Sequence, residues 1–254
     1  MNLDTRPVLL FSGGLDSFAA WRLLRHPRTV YFALGHRYQD RELSAIRKLT
    51  DLSQHLPNHL DVEIVDRLRL GDLEEQDGFI PLRNLLLAAC GSLELTGGSR
   101  VYLGGLRGES SRDKSKRFFR DGSRLLSFLA NRPIVISAPL RHMTKTHLVG
   151  EYCRHFPNEK DLLLSTRSCY SDQVLTSPLV GCGRCMACFR RWVAMTNNGI
   201  QEDYLEPPYT WSVVQQRNWP TWWANLRKAP LAEWVGILNN NLDAWRAMKR
   251  VHHL

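Results

Sequence analysis

Residues 8–24 read VLLFSGGLDSFAAWRLL, in which two glycines, two serines and an acid stand between two apolar runs. The first run, within PVLLF (7–11), has the length and composition of a buried strand, while DSFAAWRLLRH spaces its apolar residues as a helix does. The glycines mark the turn between them. The same alternation continues with TVYFAL (29–34) as strand, DRELSAIRKLTDLSQHL (40–56) as helix and DVEIV (61–65) as strand. LRNLLLAACGSLEL (82–95) then reads as helix and RVYLGG (100–105) as strand. PIVISAPL (133–140) supplies a fifth strand, and TKTHLVGEYCRHF (144–156) a helix with Thr144 as its N-cap. Strands alternating with helices predict an α/β fold, a doubly wound Rossmann-like parallel sheet with crossover helices.

The expected division is an α/β domain over 1–160, a cysteine-rich segment over 161–198 packed on it, and a tryptophan-rich helical extension over 199–254. That extension holds six of the eight tryptophans, is cut by Pro207, Pro208, Pro220 and Pro230, and ends in a helix expected from about Leu231 to Arg250. Between 104 and 124 the chain is polar and basic with no clear period at its start; it follows a strand end, where α/β proteins bind ligands.

At 254 residues and 43% hydrophobic composition the chain can bury a full core, which excludes disorder throughout. No apolar run is long enough to span a bilayer, and MNLDTRPVLLF lacks the layout of a signal peptide, so a cytoplasmic protein without a membrane partner is expected. The net charge of +9 implies an anionic partner without choosing one.

What the first turn holds follows from its chemistry. Gly13 and Gly14 let the backbone approach an anion, the amides that open the next helix (Leu15, Asp16, Ser17) offer donors at a positive dipole end, and Ser12 and Ser17 add hydroxyls. Asp16 fits a phosphate site once Mg2+ is included, since a carboxylate can hold the ion that offsets the phosphate charge. Five fixed identities at ordinary usage recur by chance on the order of 10⁻⁴ times in a chain of this length, which argues against an idle glycine-rich connection. The Gly-Lys-Ser/Thr ending of a Walker loop is missing. Ser-Gly-Gly-Leu-Asp-Ser (12–17) closely resembles the pyrophosphate loop of N-type ATP pyrophosphatases, which cleave ATP between its α and β phosphates to adenylate a substrate oxygen. The resemblance implies ATP as the nucleotide.

Cys169, Cys182, Cys185 and Cys188 form a C-x12-C-x2-C-x2-C pattern. Two-residue spacings let thiolates converge on one tetrahedral ion, Gly183 permits the tight knuckle, and four thiolates make a closed structural Zn2+ site. A redox pair and an iron-sulfur cluster are the alternatives. The wording of the cluster, Thr-x-Ser-Cys-Tyr followed by Cys-Gly-x-Cys-x-x-Cys-x-x-Arg, resembles the C-terminal signature of 7-cyano-7-deazaguanine synthases. GHRY (35–38) with Glu42 is similar to that family's Gly-Gln-Arg-His segment with a displaced acid. IPLRNLLLAAC (80–90) is similar to its Val-Pro-Gly-Arg-Asn helix start, and APLRHMTKTHLV (138–149) to its Thr-Pro-Leu segment. The likeness spans about residues 7–195. It departs at ESSRDKSKRFF (109–119), where the family carries a Tyr-Pro-Asp-Cys-Arg substrate motif, at Leu82, which stands for the helix glycine, and in the tail.

The catalytic candidates are Asp16, Ser17 and Lys145, the last placed to reach phosphates or a transferred adenylyl group. A solvated lysine is its alternative. Arg83 and Asn84, at a helix start, and His36 and Arg37, at a strand end, are candidates for ATP or substrate; capping and surface pairing are the alternatives for the first two. RDKSKRFFRDGSR (112–124) could bind substrate carboxylate or phosphates, or be a solvated face. Cys90 and Cys153 read as core residues.

The resemblance implies an ATP-dependent carbon-nitrogen ligase that adenylates the carboxylate of 7-carboxy-7-deazaguanine, releasing AMP and pyrophosphate as ammonia attacks to give an amide and then a nitrile, as in queuosine biosynthesis. Three rivals stand beside it. One is a paralogue of antiviral-defence type that passes the activated deazapurine to a macromolecular amine; the others are a tRNA-modifying relative and a non-catalytic nucleotide-binding scaffold. A homodimer is expected, and the tail tryptophans are read as core packing or a surface for a protein partner.

Overall fold

The computed structural model describes residues 4–66, 68–75, 79–109, 111–171, 181–210 and 231–252. Trp211, Trp219, Trp222 and Trp223 of the extension lie outside these residues, as does the side chain of Trp234. Five parallel strands, β1 (Val8–Leu10), β2 (Arg28–Phe32), β3 (Val62–Val65), β4 (Arg100–Tyr102) and β5 (Val135–Ser137), form one sheet in the order β3-β2-β1-β4-β5. The helices between them are α1 (Leu15–Leu23), α2 (Gln39–Ser53), α3 (Arg83–Leu93) and α4 (Lys116–Ala130); α5 (Lys145–His155), α6 (Lys160–Leu164), α7 (Met186–Asn197) and the C-terminal helix (Leu231–His252) follow. The expected doubly wound fold is therefore present. No helix among the described residues is long and apolar enough to cross a membrane.

Side-chain alternation along the strands sorts the core into two layers. Tyr31 and Ala33 pack on one face of the sheet, and Val30, Phe32 and Leu34 on the other. The first face carries α1, α2, α5 and α6 through Phe18, Ile46, Leu49, Leu148 and Leu163, and Met195 of α7 joins it. The second carries α3 and α4 through Ala88 and Leu126. Both faces of a parallel sheet are thus covered, as its apolar strands require. Cys90 packs partly buried against the second core and Cys153 against the first, and burial pushes both thiols up. Strand order reverses at β1 and β4, so the crevice beyond their C-terminal ends is the topological switch point.

Helices α4, α6 and α7 had no clear signal in the sequence. Helix α4 starts where Ser115 Oγ accepts from Phe118 N at 3.1 Å. Helix α7 starts inside the cysteine cluster, with Cys185 Sγ accepting from Cys188 N at 3.4 Å. Thr144 caps α5 as expected, its Oγ1 accepting from His147 N at 3.2 Å.

Leu82, at the N-cap of α3, has φ +60, a left-handed conformation that costs a branched side chain about 1–2 kcal/mol. The leucine side chain is 67% exposed and loses little packing if removed. Leu82→Gly is expected to stabilise the fold by about 1 kcal/mol, allowing for the greater freedom glycine gives the unfolded chain. A denaturant midpoint that falls in the variant would show that the turn carries no strain.

Candidate active site

The turn after β1 and the residues after β4 open onto one cavity of about 450 Å³ at the switch point. Ser12, Gly14, Leu15, Asp16 and Ser17 line it from one side, Gly104 and Glu109 from another, and Lys145 from the start of α5. The loop is internally tied. Ser17 Oγ donates to Gly14 O at 3.0 Å and accepts from Ser12 N at 3.3 Å, and the two hydroxyl oxygens lie 3.4 Å apart. These bonds fix the turn so that the amides opening α1 face the cavity end of the helix.

Gly13 does not line the cavity. Its φ of +67 and its closeness to α2 explain it instead: a Cβ there would lie 3.0 Å from Ile46 Cγ1 and 3.1 Å from Glu42 O. Its carbonyl accepts from Arg167 N at 2.9 Å. The glycine thus serves the turn and its packing, while the anion-facing positions begin at Gly14.

Asp16 and Lys145, 129 residues apart in sequence, meet at Oδ1–Nζ 2.6 Å with side chains 25% and 20% exposed. On the β2 side, His36 Nε2 lies 3.0 Å from Glu42 Oε2, which also accepts from Tyr31 Oη at 3.0 Å. Burial, together with the Glu42 carboxylate, pushes the Tyr31 phenol well above its ordinary value, so it remains a donor. Burial likewise pushes Tyr38 up to about 12, although the neighbouring Arg83 opposes this. Arg83 donates to Tyr38 Oη at 3.1 Å, and Asn84 donates to Asp113 Oδ2 at 2.7 Å. The rings of His36, Tyr38 and Tyr170 stand in series, at centroid distances of 4.1 and 5.1 Å. His36 Nδ1 is buried and has no hydrogen-bond partner among the described residues.

Of the sequence candidates, then, Ser12, Gly14, Leu15, Asp16, Ser17, His36, Arg83, Asn84 and Lys145 come together on one cavity. Arg37 does not: its side chain and amide bind Glu74, with Nε–Oε1 at 3.0 Å and N–Oε2 at 2.9 Å. His36 and Arg37 both lie beyond the end of β2 at Phe32, and Arg37 sits in the turn just before Tyr38, the N-cap of α2, where it pairs with Glu74. The 109–119 segment contributes Glu109 and Lys114, paired at 2.8 Å. Residues that sequence reasoning passed over also line the cavity: Tyr31, Tyr38, Tyr170, Arg190 and the buried Arg167. Arg167 is the variable position of Thr-x-Ser-Cys-Tyr, so no motif marked it. The lining holds five Lys and Arg side chains against Asp16, Glu42 and Glu109, a positive surplus suited to an anionic ligand.

A second cluster lies beside this cavity. The sulfurs of Cys169, Cys182, Cys185 and Cys188 all fall within 4.8 Å of one another, with Cys182 and Cys188 3.8 Å apart. A tetrahedral ion with metal–sulfur bonds of about 2.3 Å has edges of about 3.8 Å, so the donor set fits a metal. Ser171 N donates to Cys169 Sγ at 3.4 Å and Arg184 N to Cys182 Sγ at 3.3 Å, supporting thiolate charge. Hydrogen bonds from Cys182, Cys185 and Cys188 hold the Cys169 thiol far below its ordinary range, whereas those to Cys169, Cys182 and Cys185 push Cys188 up. Gly183, at φ +77, lies where any Cβ would strike the Glu206 carbonyl, so the knuckle requires glycine.

The family described as queuosine biosynthesis protein QueC matches residues 6–199. The 7-cyano-7-deazaguanine synthase of Rickettsia prowazekii is 24% identical over 227 residues, covering 78% of this chain and 97% of the relative. That of Pyrococcus abyssi is 27% identical over 240 residues, covering 80% and 98%. That of Marinobacter nauticus is 24% identical over 217 residues, covering 77% and 94%. The match takes in the serine-glycine loop, the residues around Lys145 and all four cysteines, and stops before the C-terminal helix.

Proposed function

The chain belongs to the QueC family, and from that premise we propose that it is an ATP-dependent ligase that adenylates the carboxylate of a 7-deazaguanine. The observation that carries the reading is the convergence of Asp16, Ser17 and Lys145 with an aromatic wall in one cavity at the switch point. Loop amides, Ser12 and Ser17 bind the β and γ phosphates, and His36, Tyr38 and Tyr170 offer ring faces to a purine. Magnesium, held by Asp16, would supply positive charge to the departing pyrophosphate.

A carboxylate is a poor acyl donor because its leaving group would be oxide; adenylation replaces that with AMP. A carboxylate oxygen attacks the α phosphorus, the bond to the bridging oxygen breaks, and pyrophosphate leaves. Lys145, aimed by Asp16, stabilises negative charge gathering on the transferring phosphoryl oxygens. Ammonia then attacks the acyl carbon, AMP departs and a proton is lost, giving the amide. A second adenylation, on the amide oxygen, followed by loss of AMP and protons gives the nitrile. Zinc on the four cysteines would hold the wall carrying Arg167 and Tyr170 and take no part in these steps.

A paralogue that uses a macromolecular amine is the second reading, favoured by the Glu109–Lys114 pair in place of the family's substrate motif and by a helix beyond the family match. Mass spectrometry after incubation with ATP, magnesium, 7-carboxy-7-deazaguanine and ammonium tests both. Nitrile is expected under the first reading, and stalled adenylate with amide under the second. No pyrophosphate release with this substrate would overturn both.

A further inference from the structure

The C-terminal helix, which lies outside the family match, reaches the residues that carry Lys145. Ala244, Ala247 and Met248 bury themselves against Phe189, Trp192 and Val193 of α7, fixing the helix on the body of the protein. From that seat Asp243, itself buried, accepts through Oδ2 from Thr144 Oγ1 at 2.9 Å. Thr144 is the N-cap of α5, and Lys145 is the first residue of that helix. Thr144 Oγ1 thus accepts from His147 N with its lone pair and gives its only proton to Asp243, so the carboxylate fixes the hydroxyl's orientation.

Neighbouring bonds hold the same turn from other sides. Asn240 Nδ2 donates to Arg107 O at 2.8 Å, and Arg107 N donates to Met143 O at 2.7 Å, linking the C-terminal helix to the loop after β4 and to the residue before Thr144. Asn198 Nδ2 donates to Thr146 O at 3.0 Å, and Asn197 Nδ2 to Asp243 O at 2.7 Å. The carboxylate also sits at the positive end of α5, where a negative charge is favoured. Arg246 Nη1 faces Asp243 Oδ1 at 3.7 Å and offsets the buried charge.

We propose that Asp243 is a positioning residue for the adenylation site, acting through Thr144 to set the Lys145 backbone so that its ammonium meets Asp16. The proposal rests on the assignment of Lys145 to adenylation. A displacement of about 1 Å at a reacting group can cost on the order of 100-fold in rate, so the effect should appear in turnover rather than in nucleotide affinity.

The full chain is tested with Asp243→Ala, Asp243→Asn, Thr144→Ser and Lys145→Ala. Pyrophosphate release with 7-carboxy-7-deazaguanine is expected to fall about tenfold or more in kcat for Asp243→Ala, with KM for ATP within about twofold. Asp243→Asn and Thr144→Ser keep an acceptor and a hydroxyl and should restore most of the turnover, whereas Lys145→Ala abolishes it. A second measurement, the rate of amine acylation at Lys145 mapped by mass spectrometry, needs no activity. Asp243→Ala should label several times faster than wild type because the Asp16 pair loosens, and Asp243→Asn should label near the wild-type rate. If wild type releases no pyrophosphate, the adenylation assignment fails while the labelling rates still decide the positioning role. Wild-type turnover and labelling in Asp243→Ala, or labelling as fast in Asp243→Asn as in Asp243→Ala, would overturn it.

Discussion

Asp16→Asn is expected to yield a folded protein whose pyrophosphate release, with ATP, magnesium and 7-carboxy-7-deazaguanine present, is reduced at least about 100-fold. The substitution separates charge from geometry. Asparagine keeps a carbonyl oxygen that can accept from Lys145 Nζ, so the 2.6 Å contact and the position of the lysine survive, while the carboxylate charge that would hold magnesium is gone. Stability should hardly move. The pair lines the cavity and is partly exposed, and such ion pairs contribute about 1 kcal/mol or less. Neither side chain belongs to the apolar core. A melting temperature close to wild type with activity lost therefore assigns the residue to chemistry. Undiminished release by the variant would remove the loop carboxylate from the mechanism.

The sheet was legible because apolar strands and amphipathic helices alternate with little interruption from Val8 to His155, and the phosphate-type turn falls where a strand ends and a helix starts. The cysteine cluster was legible because its last three members, Cys182, Cys185 and Cys188, lie within seven residues and need only one turn to converge. Other features had no local signature. Lys145 meets Asp16 because β1 and the α5 start flank one crevice, a juxtaposition set by strand order and invisible at a separation of 129 residues. Arg37 carried the same strand-end signal as His36, yet it falls in the turn before α2 and pairs with Glu74 instead of lining the cavity. Helix α4 was hidden because Arg117, Arg120, Asp121 and Arg124 crowd its opening turns and mask the inward stripe of Phe118, Phe119 and Leu126. The bond from Asp243 to Thr144 joins the tail to the nucleotide domain through one hydroxyl, which no periodicity encodes.

Purified protein is expected to carry about one zinc per chain, and Cys185→Ser to lose most of that metal together with a drop in melting temperature on the order of 10 °C. The size of the drop follows from what the four sulfurs join. Cys169 ends the stretch Thr166–Cys169 that runs beside the serine-glycine loop, where Arg167 N donates to Gly13 O at 2.9 Å. Cys185 and Cys188 open α7, whose buried Arg191 donates to Thr166 Oγ1 at 2.6 Å, to Leu163 O at 3.1 Å and to Glu202 Oε1 at 2.6 Å. One ion thus ties the start of α7 to the wall of the nucleotide cavity, and its binding free energy becomes folding free energy. Losing one ligand leaves three sulfurs, too few to close the tetrahedral shell, so the tie is weakened. Because the same wall carries Arg167 and Tyr170, residual folded variant should also bind ATP more weakly, seen as a raised KM with melting already lowered. A strong chelator applied to wild type should reproduce both effects, and a thiol-free phosphine reductant neither, since a redox pair would respond to the reductant and a zinc site would not. Iron in place of zinc on elemental analysis, or a metal-free protein that melts where the wild type does, would reject the structural-zinc assignment.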